Sequence, residues 1–220
     1  MDGSKIHVIT NGVDTSRFNP RSKDAELLER YGLKDKFIAG YIGTHGLAHA
    51  LDTILDAAKQ LKQSSDGDRF QFILLGDGAN KGALIERARI EGLDNVTFVD
   101  SVPKDEVVRY WSLLDVSIIH LKKNELFTTV IPSKLFECMG MGIPVLHGVQ
   151  GESAGIVARE DVGMVFEPEN ADALVAGLRR LADNKELYRR YKERGPVAAR
   201  NYDRSVLAGE MLRVLEGVGQ

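Results

Sequence analysis

The chain holds one cysteine in 220 residues, and no part of it is apolar for long enough to span a bilayer. A lone thiol has no disulfide partner. Cys138 lies among the apolar residues of "KLFECMGMGIPV", so the sequence predicts a buried thiol in a reducing, cytoplasmic setting. The opening "MDGSKIHVIT" lacks the basic and apolar regions of a signal peptide. An excess of one charge is also missing: 29 Lys+Arg face 32 Asp+Glu for a net charge of −3, which gives no nucleic-acid face. Five histidines and one cysteine show no metal-ligand spacing, and no Ser-His-Asp arrangement is legible. No internal repeat, low-complexity run or linker divides the chain. What remains is an ordinary globular composition, 43% hydrophobic and 28% charged, at a length that lets one α/β domain bury a sizeable core.

Short apolar runs alternate with helical patterns from residue 37 onward: "FIAGYI", "ALDTILDAAKQLK", "FQFILL", "KGALIERARI", "NVTFV", "KDEVVRYWSLL" and "VSIIHL". This alternation predicts a Rossmann-like parallel sheet flanked by helices, with strands apolar nearly throughout because both faces are covered. Leu51, Ile54, Leu55, Ala58 and Leu61 share one helical face, which packs on the sheet. Farther on, residues 143–146 read as a buried strand and "VGMVFEP" as a last short one. "ADALVAGLRRLAD", "KELYRRYKERGPVAAR" and "SVLAGEMLRVL" read as closing helices, with Pro196 predicted to kink the second. "IHVI" reads as a strand that starts after only five residues, as at a cut edge.

Ligands of open α/β sheets sit at the carboxyl ends of strands, and three such ends carry unusual residues. At the first, Gly43-Thr44-His45-Gly46 either lets Thr44 and His45 donate to phosphate oxygens or forms a tight turn with a hydroxyl cap. At the second, Gly76-Asp77-Gly78 nearly matches a dinucleotide fingerprint, but Lys81 stands where the third glycine belongs. That lysine is either a donor to phosphate or a solvated surface residue. The third is "TTVIPSKLFECMGMGIPVL", where a helix begins at Pro132 or Ser133 after what reads as a buried approach. Its first-turn amides and Lys134 suit a diphosphate, and Glu137, at i+4 from Ser133, suits a ribose diol. The competing reading is an exposed Lys134–Glu137 pair at i+3.

In order and spacing, "NGVDTSRF", "YIGTHG…LDTILDAA", "FILLGDG", "LDNVTFVDSVPKDEVVRYWSLLDVSII" and "PSKLFECMGMGIPV" resemble the carboxyl-terminal, donor-binding domain of GT-B fold glycosyltransferases of family 4. Within it the chain is most similar to the bacterial branch that builds surface polysaccharides, including fucosamine-type transferases. The resemblance covers almost all 220 residues. It implies that Glu137, as the second glutamate of an E-x7-E motif, binds the ribose of a nucleotide sugar, most simply a UDP-sugar. The first glutamate, which contacts the donor sugar, falls at Thr129, so the sugar would be met by Thr129, Val130, Ile131 and the amides up to Ser133. The family's phosphate-binding arginine and lysine fall at Thr44 and neutral residues such as Ala48, which leaves Lys134 and His45 to carry charge. Backbone near Val102, in "DSVPK", would read the base.

The resemblance further implies a retaining transfer that needs no metal or other cofactor. Fixed donors would stabilise the charge growing on the leaving β-phosphate. "NGVD" resembles the start of the second GT-B domain, so an amino-terminal acceptor domain is expected to be absent from this chain. The full-length enzyme would meet the membrane through its acceptor. Two rivals remain open: a GT-B nucleotide-sugar 2-epimerase, and a non-catalytic flavodoxin-like or receiver-type signalling module. The latter needs an acidic cluster at the first strand end, where this chain has Gly43-Thr44-His45-Gly46.

Overall fold

The computed structural model describes residues 6–218. Six parallel strands form one sheet in the order β3-β2-β1-β4-β5-β6: β1 Phe37–Ile42, β2 Phe70–Leu75, β3 Val96–Val99, β4 Val116–His120, β5 Val145–Gly148 and β6 Gly163–Val165. β1 is central and pairs with β2 from Phe37↔Phe70 to Ile42↔Leu75 and with β4 through Ala39↔Val116. Alternation within each strand feeds two cores. Ile38, Ile42, Ile73, Leu75 and Ile119 point to one face, and Ala39, Tyr41, Phe72, Leu74 and Ile118 to the other.

Nine helices surround the sheet among the described residues: α1 Ala25–Arg30, α2 Asp52–Lys62, α3 Lys81–Ile90, α4 Val107–Trp111, α5 Lys134–Met141, α6 Glu152–Glu160, α7 Ala171–Asp183, α8 Lys185–Ala199 and α9 Arg204–Val218. Residues of α2, α3 and α7 fill one core and residues of α1, α4, α5 and α6 the other, while α8 feeds both, Leu187 and Tyr191 the first and Ala198 and Ala199 the second. The predicted stripe of α2 is buried from Leu51 to Leu61. None of these helices is long and apolar enough to cross a membrane.

Several expectations are corrected. Residues 6–9 form no strand. Val8 is 84% exposed, and no strand among the described residues offers this segment a ladder. Met1–Lys5, on which the reading of a cut edge also rests, lies outside the described residues. The strand expected at 143–146 runs two residues later, because Gly142 ends α5 in the left-handed region (φ +66°) and Ile143–Pro144 complete the turn. The approach to Pro132 is largely exposed rather than buried, and its residues Glu125–Thr129 form a short 3₁₀ turn. α8 runs from Lys185 to Ala199 with Pro196 inside it, so the proline expected to kink this helix does not end it. Lys192 O, the carbonyl that Pro196 cannot serve, lies against Gly142.

Asn11–Asp14 is sewn to the segment before α9. Val13 N donates to Tyr202 O at 2.9 Å, Arg204 N to Val13 O at 2.9 Å, and Thr15 N to Asp203 Oδ2 at 3.1 Å. The approach requires glycine at position 12, since a Cβ there would lie 2.1 Å from Tyr202 O. Gly12→Ala is therefore expected to destabilise the fold by about 1–3 kcal/mol, the usual cost of overpacking. An unchanged urea midpoint would show that this seam contributes nothing.

Candidate anion-binding site

β1 is followed by α2 on one face of the sheet, and its neighbour β4 leads to α5 on the other. The loops beyond β1 and β4 therefore part and leave a crevice at the switch point of the sheet. α5 starts in this crevice. Pro132 has no N–H to leave orphaned, and its carbonyl accepts from Leu135 N at 3.0 Å, whereas the amides of Ser133 and Lys134 have no acceptor among the described residues.

The Lys134 side chain turns back over β1. Its Nζ lies 3.8 Å from the centroid of the Tyr41 ring, and a Cβ on Gly43 would fall 2.6 Å from it. Gly43 (φ +147°) supplies both the backbone conformation and the space. No carboxylate lies within ion-pair distance of this ammonium among the described residues. Burial pulls the Lys134 pKa down to about 8, against small opposing effects of Cys138 and Glu137. A cation–π contact returns about 0.5–2 kcal/mol, short of the cost of burying an unpaired charge. The ammonium therefore keeps a positive charge that no carboxylate among the described residues neutralises. Neither Lys134 nor Glu137 is an exposed residue, and no i+3 ion pair forms, so the solvated-pair reading fails.

The glycines after β2 brace this corner. A Cβ on Gly76 would lie 1.9 Å from Gly43 O, and one on Gly78 2.6 Å from His45 C and O. His45 N donates to Asp77 O at 2.8 Å, and Asn80 N to His45 O at 2.9 Å. Gly76-Asp77-Gly78 is therefore the wall behind the first loop. Lys81, expected at the surface or on a phosphate, is buried. Its ammonium donates to Gly76 O at 2.8 Å, Val99 O at 3.4 Å and, at the surface, the exposed carboxylate of Asp100 (Oδ1) at 2.5 Å, which uses its three hydrogens within the chain.

His45 is also corrected. Its ring is fully buried, without a partner for either nitrogen among the described residues, and burial together with the Lys81 and Lys134 charges pulls its pKa down to about 4. It is neutral at pH 7 and carries no charge for a phosphate. Thr44 is exposed and caps no helix, since α2 begins at Asp52; its carbonyl accepts from the Tyr41 hydroxyl at 2.9 Å. Val102 lies in the loop beyond β3, its side chain packed on the core. Thr129 and Val130 are exposed on the loop before Pro132 and Ile131 is half-buried. Val130 N is committed to Phe127 O at 3.1 Å and Pro132 has no N–H, so only the amides of Ile131 and Ser133 can face a ligand from that stretch.

Glu137, one turn into α5, is partly buried, and burial raises its pKa against the attraction of Lys134, Arg204 and Arg17. Those arginines come from the seam between residues 11–17 and α9, where Arg204 Nε donates to Gly12 O at 3.2 Å. Asn11 Nδ2 donates to Ile131 O at 3.2 Å. Sequence reasoning missed Tyr41, His49, Arg17 and Arg204. Only Arg17, inside "NGVDTSRF", lay in a quoted motif that could have flagged it as a charge at the site. Surface hollows of about 690 Å³ against α7 and α8 and about 680 Å³ beside the β6–α7 loop include none of the predicted residues, so chemistry rather than concavity marks the crevice.

A family model described as "Glycosyl transferases group 1" matches residues 24–197. The alpha-D-kanosaminyltransferase of Streptomyces kanamyceticus is 27% identical over 201 residues, 90% of this chain and 50% of that protein. The putative colanic acid biosynthesis glycosyl transferase WcaI of Escherichia coli is 27% identical over 166 residues, 73% of this chain and 40% of its own. The chain spans about half the length of the curated relatives it matches. HepE of Anabaena in complex with UDP superposes with a TM-score of 0.83 at 18% identity, covering 96% of this chain and 57% of that one. The C-terminal domain of the group 1 family protein LpcC of Francisella tularensis gives 0.72 at 17% identity, covering 88% of this chain and 100% of that one.

If Lys81 holds the β2 and β3 ends together, Lys81→Met should cost about 1–3 kcal/mol of stability by stranding buried carbonyls. Denaturant unfolding of the variant checks this, and a midpoint equal to that of the parent would return Lys81 to the surface.

Proposed function

Because the chain belongs to the group 1 glycosyltransferases, we propose that it is the donor-binding domain of a retaining enzyme that transfers a sugar from a nucleoside diphosphate, most simply UDP. One observation carries the reading: an unpaired, partly buried ammonium at the start of α5, with an unpaired carboxylate three residues on. A diphosphate meets Lys134 and the free amides of Ser133 and Lys134, and Glu137 accepts from the ribose diol. Thr44 adds a hydroxyl from the β1 loop, and backbone near Val102 meets the base edge. Thr129 and the Ile131 amide are left to the sugar.

Negative charge grows on the β-phosphate as the glycosidic bond breaks, and the Lys134 ammonium and helix amides are already aimed at it. In this reading the positive charge comes from protein groups, so no metal is called for. The matched relatives are named as transferases, which favours transfer over epimerisation. Names tied to polysaccharide assembly support a surface-polysaccharide or lipid-linked acceptor, with fucosamine-type transfer as the narrower form of the reading. The acceptor belongs to a second domain of the kind its longer relatives have room for, across the crevice. The reading assigns the domain to the cytoplasm and the whole enzyme to the inner face of the membrane.

Calorimetric titration with a panel of nucleoside diphosphates tests the assignment, with UDP expected to bind. Glu137→Ala should weaken UDP by roughly 1–3 kcal/mol, the scale of lost hydrogen bonds to a charged acceptor. An intact fold with unchanged affinity refutes the ribose assignment.

The pH dependence follows from Lys134. Its ammonium is charged below a pKa of about 8 and loses its proton above it, so UDP affinity should fall as pH rises through that value. Lys134→Met should bind UDP weakly and without that pH step, while binding uridine as the parent does. Equal losses for UDP and uridine would make Lys134 structural.

A further inference from the structure

We propose that His120 is a positioning residue of this site, a two-sided clamp that ties the turn after β1 to the turn after β6 and so holds His49 beside Lys134 on the Tyr41 ring. The inference rests on the nucleotide-binding reading of the crevice. His120 is the last residue of β4 and is 2% exposed. Glu169 N lies 2.9 Å from its Nε2, and a backbone amide can only donate, so Nε2 is the unprotonated nitrogen. The ring proton is then on Nδ1, which donates to His49 O at 3.0 Å. One tautomer satisfies both loops at once.

The fit around the ring is close. His120 stacks on Phe166 with centroids 5.7 Å apart and planes at 8°. A Cβ on Gly148 would lie 2.4 Å from His120 Cδ2 and 2.6 Å from Phe166 Cζ, so the glycine makes room for the stack. Both turns that the ring joins hold a non-glycine residue in the left-handed region, Ala50 at φ +45° and Glu169 at φ +60°, a conformation that persists only where its surroundings enforce it. The next residues of the chain add parallel ties: Lys122 N donates to Ala48 O at 2.9 Å, and Lys123 N to Glu169 Oε2 at 2.7 Å.

The turn at 47–49 brings the His49 ring to 5.9 Å from the Tyr41 centroid, and Lys134 Nζ lies 3.8 Å from the same centroid. A shift of this turn therefore moves the surface on which the ammonium rests. Burial lowers the pKa of His120, while the hydrogen bond to His49 O and the Glu169 charge oppose that shift and the His49 ring, as a like charge, adds the least to it; His120 in turn lowers the pKa of His147. The neutral ring that the clamp needs is thus the form the fold selects at pH 7. Its contribution to stability is complete above the ordinary histidine value of 6.5 and declines as pH falls below it, where the unfolded chain takes up the proton first.

The test uses the 220-residue chain and three variants, with amide hydrogen exchange and UDP titration as readouts. His120→Phe keeps the stack and removes both hydrogen bonds, His120→Asn offers a donor near Nδ1, and His120→Gln offers an acceptor near Nε2. The phenylalanine variant should speed exchange at 46–50 and 167–170 together and weaken UDP about tenfold, with β4 and β5 still protected. Asparagine should restore protection at 46–50 alone, and glutamine at 167–170 alone. A general packing role does not produce that split. Both loops staying protected in His120→Phe, or the same pattern from Asn and Gln, overturns the clamp. Should His120→Phe fail to fold, the Asn and Gln pair decides alone. A parent chain that binds no nucleoside diphosphate overturns the reading of the crevice, while the exchange pattern still judges the clamp.

Discussion

A lysine ammonium with no carboxylate in reach sits over the ring of Tyr41, and the local architecture serves to keep it there. Ordinarily such a group would swing into water or find a carboxylate. Here the helix that bears it starts at the switch point of the sheet, and the strand beneath it is followed by a glycine without a Cβ to repel it. Gly76 and Gly78 then fix the strand-end loop from behind, with Lys81 tying the ends of β2 and β3 by three hydrogen bonds within the chain. The fold thus holds a charge where only a ligand or solvent can neutralise it.

That charge sets the state of its neighbours. Low local dielectric magnifies repulsion between like charges, so a second buried cation beside Lys134 is unfavourable. The two histidines nearest the Tyr41 ring are displaced accordingly: His45 is drawn down by burial, Lys81 and Lys134, and His49 by burial and Lys134. Glu137 shows the converse. Burial raises its pKa, and Lys134, Arg204 and Arg17 oppose that rise. The crevice therefore has one positive and one negative pole, three residues apart on one helix, about 4.5 Å along its axis. A phosphate and a neighbouring diol can be held at that spacing.

Much of this was legible in the sequence, for local reasons. The strands announce themselves because buried parallel strands are uninterrupted apolar runs ended by glycine, as "FIAGYIG" and "FILLG" are. Lys134 and Glu137 stand out because charges in an apolar context need a reason. The domain proved to be a Rossmann-like parallel sheet flanked by helices, as the alternation of apolar runs and helical patterns predicted. α6 escaped notice because its start has no side-chain cap, only Gly151 at φ +83°. The states of His45 and Lys81 were illegible because they are tertiary facts. Lys81 meets a carbonyl 18 residues away, and His45 is buried by a loop that follows a different strand.

The seam between residues 11–17 and 200–204 shows how far such tertiary facts reach. Both arginines that act on Glu137 hang from it, Arg204 by its bond to Gly12 O and Arg17 by the turn in which Asp14 accepts from Ser16 N at 3.0 Å and Arg17 N at 3.3 Å. Asn11 carries the same seam onto the loop before α5 through Ile131 O. A carboxylate that burial disfavours is only as ionised as the cations facing it allow. The close approach of Gly12 to Tyr202 is thus more than a packing detail. By holding Arg17 and Arg204 opposite α5, it helps keep Glu137 an acceptor, so loosening the seam would raise the proton affinity of a residue that the seam does not touch.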